Sequence, residues 1–445
     1  MPPSLLRVLF CRGQQRIAPK QFTRMASMGG STAAALSLTA YYASVSVRPP
    51  MAGEASEFEP KSHHVKDRHG KTYKFKNPYD SWAFPTITEL FRTLWFTSWP
   101  KPKKEEKLVP VVTPQLLPTR ASPPSGKLRA TWLGHACYYV EFPSGLRVLF
   151  DPVFEDCCAP VSFLGFKRYT EPPCAIADLP FVDAVVISHS HYDHLSYDSV
   201  REVQRHHPNA HFFVGLGLEK WFRSGGLKNV TELDWWQEAD ITLTPGAAKV
   251  ETDGAAAAAD AAAKSATTGD DRKPITAKIT CLPCQHSSGR TLWDRDTTLW
   301  ASWAVQSGSP TKSVWFGGDT GYRSVATVPR DVEDDWAAEW SHLPTCPQFK
   351  QIGERFGGFD LGLIPIGAYY PRQVMSGVHA NPRDAVEIFR DTRCRRAMAI
   401  HWGTWVMTPE PVFEPPQLLK KALALKGLPE TGAFDVCDIG ETREF

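Results

Sequence analysis

Hydrophobic residues in this chain fall into short runs, and most runs end on Gly, His or Asp. LRATWLGHACYYVEF (128–142) reads as a strand, a turn at Gly134 and a second strand. GLRVLFDPVF (145–154) reads as a strand closing on Asp151, and DAVVISHSHYDHL (183–195) as a buried β-branched run opening into His and Asp. HFFVGLG (211–217), KITCLPCQH (278–286), TLWASWAVQS (298–307), KSVWFGGDTGY (312–322), DLGLIPIG (360–367) and RAMAIHWGTW (396–405) repeat the theme. Helical patterns lie between some of them, at 382–392 and 416–425. Strands alternating with helices predict an α/β fold, with function at the strand ends.

The body begins near Lys127, and what precedes it differs. Residues 1–53 hold Arg7, Arg12, Arg16, Lys20, Arg24 and Arg48 and no Asp or Glu. An acid-free, Arg-bearing, Ser- and Ala-rich start reads as a disordered, basic mitochondrial targeting segment. Residues 33–47 are apolar but short of the roughly 20 residues a span needs; they could serve as a membrane anchor. Residues 54–126 read as an N-terminal arm. The polar residues 48–81, which carry His63, His64 and His69, read as a linker or an extended arm. The aromatic part, 82–99, places Ile87, Leu90, Phe91, Leu94 and Trp95 on one helical face. That helix could pack on the core or lie in a membrane interface. Within the 127–445 body, residues 246–275 are Ala-rich and low in complexity, and read as a disordered surface insertion.

Composition narrows the classes. The chain has 445 residues, 42% hydrophobic and 22% charged, which is ordinary globular composition. A net charge of +2 gives no support to nucleic-acid binding as the main activity. The ten cysteines are scattered, with one isolated C-x-x-C at Cys281 and Cys284, so neither a disulfide framework nor a structural zinc pair is expected.

The chemistry concentrates in Ser188-His189-Ser190-His191-Tyr192-Asp193-His194, an H-x-H-x-D-H. Three imidazoles and a carboxylate so close together suit a borderline metal such as zinc. In an extended stretch His189 and His191 share one side, and the turn after them can redirect Asp193 and His194 to a second ion. One segment supplies at most half the ligands for two ions. His286, Asp319 and His401 each end a hydrophobic run and are candidates for the rest. Asp319, with two carboxylate oxygens, is suited to bridge.

This pattern resembles the metallo-β-lactamase superfamily. TWLGHA (131–136), DPVF (151–154), SHSHYDHL (188–195), LPCQH (282–286), LWASWAV (299–305), GGDTGY (317–322), IPIGAYYPR (364–372) and IHWGTW (400–405) resemble one member family, the N-acylphosphatidylethanolamine-hydrolysing phospholipases D. The resemblance runs from about 130 to 440 and omits the insertion.

The resemblance implies an αβ/βα sandwich and two Zn2+. One zinc would take His189, His191, His286 and Asp319; the other would take Asp193, His194, Asp319 and His401. Asp193 and Asp319 would be the catalytic carboxylates, and a hydroxide bridging the zincs the nucleophile. Attack at phosphorus would yield phosphatidic acid and an N-acylethanolamine. Tyr192 and His379 match substrate-contacting positions. His135 and Asp151 would position ligands by hydrogen bonds, or serve only as turn residues. Family members act on a membrane phospholipid at a membrane surface and form homodimers. The basic N-terminus shifts the expected compartment to mitochondria, at the inner membrane. A lactonase or a phosphodiesterase for soluble substrates would carry the same ligands, and a zinc-retaining scaffold is the third reading.

Overall fold

The computed structural model describes residues 40–48, 63–83, 86, 88, 109–123, 125–159, 166–246, 273–291, 293–329, 332 and 334–445. Its strands, in chain order, are β1 (Tyr41–Arg48), β2 (His64–Lys66), β3 (Thr72–Phe75), β4 (Arg129–Gly134), β5 (Cys137–Glu141), β6 (Arg147–Phe150), β7 (Cys157–Cys158), β8 (Phe166–Lys167), β9 (Ala184–Val186) and β10 (His211–Gly215). They continue with β11 (Val230–Leu233), β12 (Glu238–Pro245), β13 (Ile275–Leu282), β14 (Ser302–Ser307), β15 (Lys312–Phe316), β16 (Phe359–Pro365), β17 (Cys394–Ile400), β18 (Phe434–Asp435) and β19 (Thr442–Glu444).

Two sheets carry the fold. One has eight strands in the order β1-β12-β13-β14-β15-β16-β17-β18, and the other seven in the order β11-β10-β9-β6-β5-β4-β19. Their facing sides share one core: Phe150 of β6 and Phe316 of β15 lie 4.9 Å apart, ring to ring. The outer side of the seven-stranded sheet has a second core. Helix α1 (Tyr197–His206) contributes Val200 and Val203 to it, and α2 (Glu219–Ser224) contributes Phe222. Further helices are α3 (Gln348–Phe356), α4 (Arg372–Met375), α5 (Pro382–Asp391) and α6 (Glu414–Leu425). This is the expected αβ/βα sandwich.

The alternating side chains of a strand explain the continuous apolar runs. In β5, Tyr138 and Val140 enter the shared core while Cys137 and Tyr139 enter the outer one. In β9, Ala184 and Val186 face inward and Val185 outward. A strand buried on both faces has no polar position to spare.

Strand direction then collects the functional residues. β4, β6 and β9 run the same way in one sheet, and β13, β15, β16 and β17 the same way in the other. The residues after their C-terminal ends are His135, Asp151, His189, His286, Asp319, the 366–379 loop and His401. The segment 246–275 instead joins β12 to the start of β13, where Leu243 pairs with Ile275. Its described flanks are at the far end of β13 from His286. Most of the segment lies outside the described residues.

Two stretches before residue 127 join the body. Residues 41–48, placed by sequence within the N-terminal extension, form β1 and pair with β12 over their whole length. Residues 41–47 of the anchor candidate 33–47 are therefore committed to a sheet edge, which the alternation in YYASVSVR explains. Residues 63–83, expected as a linker or arm, dock as a hairpin and an extended strap. His63 Nε2 and His64 Nε2 each meet an oxygen of Asp234, at 2.7 and 2.9 Å. Residues 1–39 and most of the 82–99 aromatic stretch lie outside the described residues. No described helix is long and apolar enough to cross a membrane.

Candidate metal centre

The turn after β9 and the ends of β13, β15 and β17 converge on one point, the Oδ2 of Asp319. His401 Nε2 lies 3.1 Å from it, His194 Nε2 3.2 Å, His286 Nε2 3.7 Å and His189 Nε2 4.0 Å. Asp193 Oδ2 sits 3.3 Å from His194 Nε2 and 3.4 Å from His401 Nε2. On the other side, His191 Nδ1 lies 2.8 Å from His189 Nε2 and 3.3 Å from His286 Nε2. All seven sequence-derived candidates therefore meet, in two groups that share Asp319. His189 and His191 present different ring nitrogens, a detail that spacing alone does not fix.

Close approach of the backbone makes this convergence feasible. Gly318, one residue before Asp319, has φ +57°, and a Cβ there would lie 2.5 Å from the Ser188 Cβ. His135, Asp151 and His401 hold positive φ values of 51°, 36° and 63° although none is glycine. Such backbones are uncommon outside glycine and cluster at functional sites.

A layer of hydrogen bonds orients the rings. His194 Nδ1 donates to Asp151 Oδ2 over 2.6 Å. His189 Nδ1 donates to Ser188 Oγ over 2.9 Å, and that hydroxyl donates to Asp151 Oδ2 over 2.5 Å. His286 Nδ1 donates to the Val378 carbonyl over 2.8 Å. Each bond places the proton on Nδ1 and leaves the Nε2 lone pair facing the centre. His135 Nε2 lies 3.0 Å from Asp193 Oδ2, so both residues read from sequence as positioning groups or turn residues make that kind of contact.

The donor set fits divalent metal. Asp319 Oδ1, His194 Nε2 and His401 Nε2 are buried without a hydrogen-bond partner. Buried, unpartnered imidazole nitrogens and a carboxylate oxygen in one cluster suit a divalent cation, which takes both ligand types. The electrostatics of His189, His286 and Asp319 suit ligation, whereas in the metal-free chain burial is outweighed by Asp319 and Asp193, which raise the pKa of His194 and His401, whose second proton a metal must displace. Burial, together with neighbouring imidazoles, holds His189 well below its usual pKa; it does the same for His286 despite the Asp319 charge. Burial opposes ionisation of Asp319, but His194 and His401 outweigh it and keep the carboxylate charged. Neutral imidazole and ionised carboxylate are the ligating forms.

The substrate-contact candidates flank this centre. His379 Nδ1 is 3.9 Å from Asp319 Oδ2, and the ring lies 5.1 Å from that of His401. Tyr192 is half-buried on the ligand turn, and the Arg290 guanidinium carbon lies over its ring, 3.9 Å from the centre. An open cleft borders His135 and His401 and is lined in part by Trp402, Trp405, Met407, Thr408 and Glu410. Sequence reasoning missed Asn77, whose Nδ2 donates to the His286 carbonyl over 2.6 Å, and Arg290. Asn77 lies 209 positions from His286 and carries no local motif.

Comparison with known proteins identifies the family. Residues 146–402 match the beta-lactamase superfamily domain. The N-acyl-phosphatidylethanolamine-hydrolyzing phospholipase D 1 of Caenorhabditis elegans is 34% identical over 85% of this chain and 93% of its own. An uncharacterized protein of Mycobacterium tuberculosis is 35% identical over 71% of this chain and 68% of its own. The mitochondrial N-acyl-phosphatidylethanolamine-hydrolyzing phospholipase D of Saccharomyces cerevisiae is 30% identical over 71% of this chain and 55% of its own. The chain is a metal-dependent hydrolase and belongs to the N-acylphosphatidylethanolamine-hydrolysing phospholipase D family of the metallo-β-lactamase superfamily.

Proposed function

We propose that the protein is a zinc-dependent phospholipase D that hydrolyses N-acylphosphatidylethanolamine to phosphatidic acid and N-acylethanolamine. The observation that carries this reading is the shared position of Asp319 between two groups of ligating atoms. His189, His191, His286 and Asp319 would hold one ion, and Asp193, His194, Asp319 and His401 the other. Two zinc ions there supply water activation and charge neutralisation for displacement at phosphorus.

The chain's own residues do the rest. Asp151 and Ser188 fix the tautomers of His194 and His189, so the ligands need no reorganisation. His379, beside Asp319, and Tyr192, on the ligand turn, contact the phospholipid. The yeast relative is named mitochondrial, and residues 1–53 are basic and acid-free, so the proposed compartment is the mitochondrion, at its inner membrane. The proposed assembly is a homodimer on the membrane surface.

The test is hydrolysis of N-acylphosphatidylethanolamine in mixed micelles made in H2(18)O, read by mass spectrometry. The expected products are equimolar, with the label in phosphatidic acid. Label in N-acylethanolamine would reject attack at phosphorus. Cleavage of soluble phosphodiesters or lactones with no lipid cleavage would reject the substrate.

A further inference from the structure

Arg290 lies outside both the ligand set and every recognised motif, yet it spans the ligand turn. Its Nη1 donates to the Ser190 carbonyl over 2.9 Å and to the Leu195 carbonyl over 2.6 Å. Between those carbonyls lie His191, Asp193 and His194. The guanidinium carbon lies over the Tyr192 ring, 3.9 Å from its centre, and over the Trp221 ring, 5.4 Å from its centre.

Arg290 is itself held in place. Asp294 Oδ1 accepts from the Arg290 backbone N–H over 3.0 Å and from Thr291 N over 2.7 Å. Gly289 N donates to Ser190 Oγ over 3.0 Å, and Thr298 Oγ1 to the same oxygen over 3.2 Å. The loop that starts at His286 thus grips the turn that carries His191, Asp193 and His194. These ligands come from different sheets, so their spacing depends on a contact that crosses between the sheets.

We infer that Arg290 is a positioning residue that locks the His191–His194 turn to the His286 loop and so sets the spacing between His286 and the ligands on the turn. It acts on the metal through the turn and does not ligate. The inference rests on the metal-centre reading alone and not on the lipid substrate. The physical reason is that the turn's own backbone bonds, from His194 N and Leu195 N to the His191 carbonyl at 3.1 and 2.8 Å, shape it but do not tie it to the His286 loop, whereas Arg290 holds the Ser190 and Leu195 carbonyls on either side. One nitrogen with two N–H groups closes the turn as a clasp, and the cation–π contact fixes the clasp's direction.

The test uses the full chain and zinc, with no lipid present. Arg290→Met keeps the length and removes both donors. Arg290→Lys keeps a nitrogen able to bond both carbonyls. Zinc dissociation constants come from competition with a chromogenic chelator, and the fold of each metal-free variant from circular dichroism. Loss of a group that orients ligands typically costs 10- to 100-fold in metal affinity. Arg290→Met is expected to weaken zinc binding by about that factor with an unchanged metal-free fold, and Arg290→Lys to recover most of it. If Arg290→Met does not fold, Arg290→Gln, polar but with its amide nitrogen two bonds short of the Nη1 position that holds the carbonyls, takes its place. Wild-type affinity in Arg290→Met or Arg290→Gln, or a loss in Arg290→Lys equal to theirs, would overturn the inference. Because lipid hydrolysis is not measured, that failure leaves the substrate reading standing.

Discussion

Replacing Asp151 by Asn removes no ligand, yet it should weaken metal binding by a magnitude the hydrogen bonds define. The two carboxylate oxygens accept three donors. Oδ1 takes Ser188 N at 2.7 Å; Oδ2 takes Ser188 Oγ at 2.5 Å and His194 Nδ1 at 2.6 Å. An asparagine has one accepting oxygen and one NH2 group, so in either orientation the NH2 faces a donor. With the NH2 toward His194, the metal-free variant, at a pH where His194 has lost its second proton, relieves the conflict by keeping the remaining imidazole proton on Nε2 rather than Nδ1. Metal binding needs that Nε2 lone pair and forces the proton back against the amide. A buried donor without an acceptor costs about 1–3 kcal/mol, which corresponds to roughly 5- to 150-fold in affinity. The assay is chelator competition at constant pH on wild type and Asp151→Asn, with thermal unfolding of both metal-free forms. Affinity within twofold of wild type would refute the tautomer argument.

Four other outcomes follow from the same structure. Asp319→Asn should lower metal content and reduce phospholipid turnover by at least about 10³-fold, given that metal catalysis supplies several kcal/mol of charge stabilisation; elemental analysis and product release check it, and retained turnover would reject the bridging position. In metal-free protein burial opposes charge on His401, but Asp319 and Asp193 outweigh it and push its pKa up to about 9, while the same carboxylates raise His194. Stability from these raised histidines is full below the unfolded value near 6.5 and lost as pH rises through about 9. Metal-free Tm should therefore fall across that window while zinc affinity rises; a flat profile in both would contradict it. Deleting 247–272 should leave a folded, active enzyme and change stability by less than about 2 kcal/mol, in the favourable direction, because shortening a loop lowers closure entropy; aggregation would show that the insertion is structural. Removing residues 1–53 strips β1, exposes the β12 edge and takes the buried Tyr41 side chain out of the core, a loss of at least about 1.5 kcal/mol, read as Tm and light scattering; an unchanged Tm would contradict it.

Much of the fold was legible because its strands are buried on both faces. AVVI (184–187) and AMAI (397–400) are apolar at every position, and strands of that kind stop where polar function begins. The ligand residues were legible for the same reason: His189, His286, Asp319 and His401 each interrupt such a run. Weaker elements were not. β1 is an edge strand with one buried residue in YYASVSVR, and its partner lies nearly 200 residues away, so nothing local separates it from the tail before it. β18 and β19 are two and three residues long and owe their conformation to their neighbours. The strap at 63–83 looked like a linker because its anchoring is polar and distant: His63 and His64 reach Asp234, Asn77 reaches His286, and Ser81 Oγ reaches Gln285 over 2.6 Å. Arg290 was missed because a lone arginine in a loop has no period or motif; only the carbonyls it clasps reveal it.

The central claim is that two metal ions share Asp319 and together make this chain a lipid phosphodiesterase. It is tested most directly by titrating zinc into the chelator-treated full chain while phosphatidic acid release from N-acylphosphatidylethanolamine is followed in the same samples. The account predicts activity rising to a plateau at about two zinc ions per chain, with no such rise in Asp319→Asn. Full activity with the chelator still in excess, or two ions bound with no phosphatidic acid released, would contradict it.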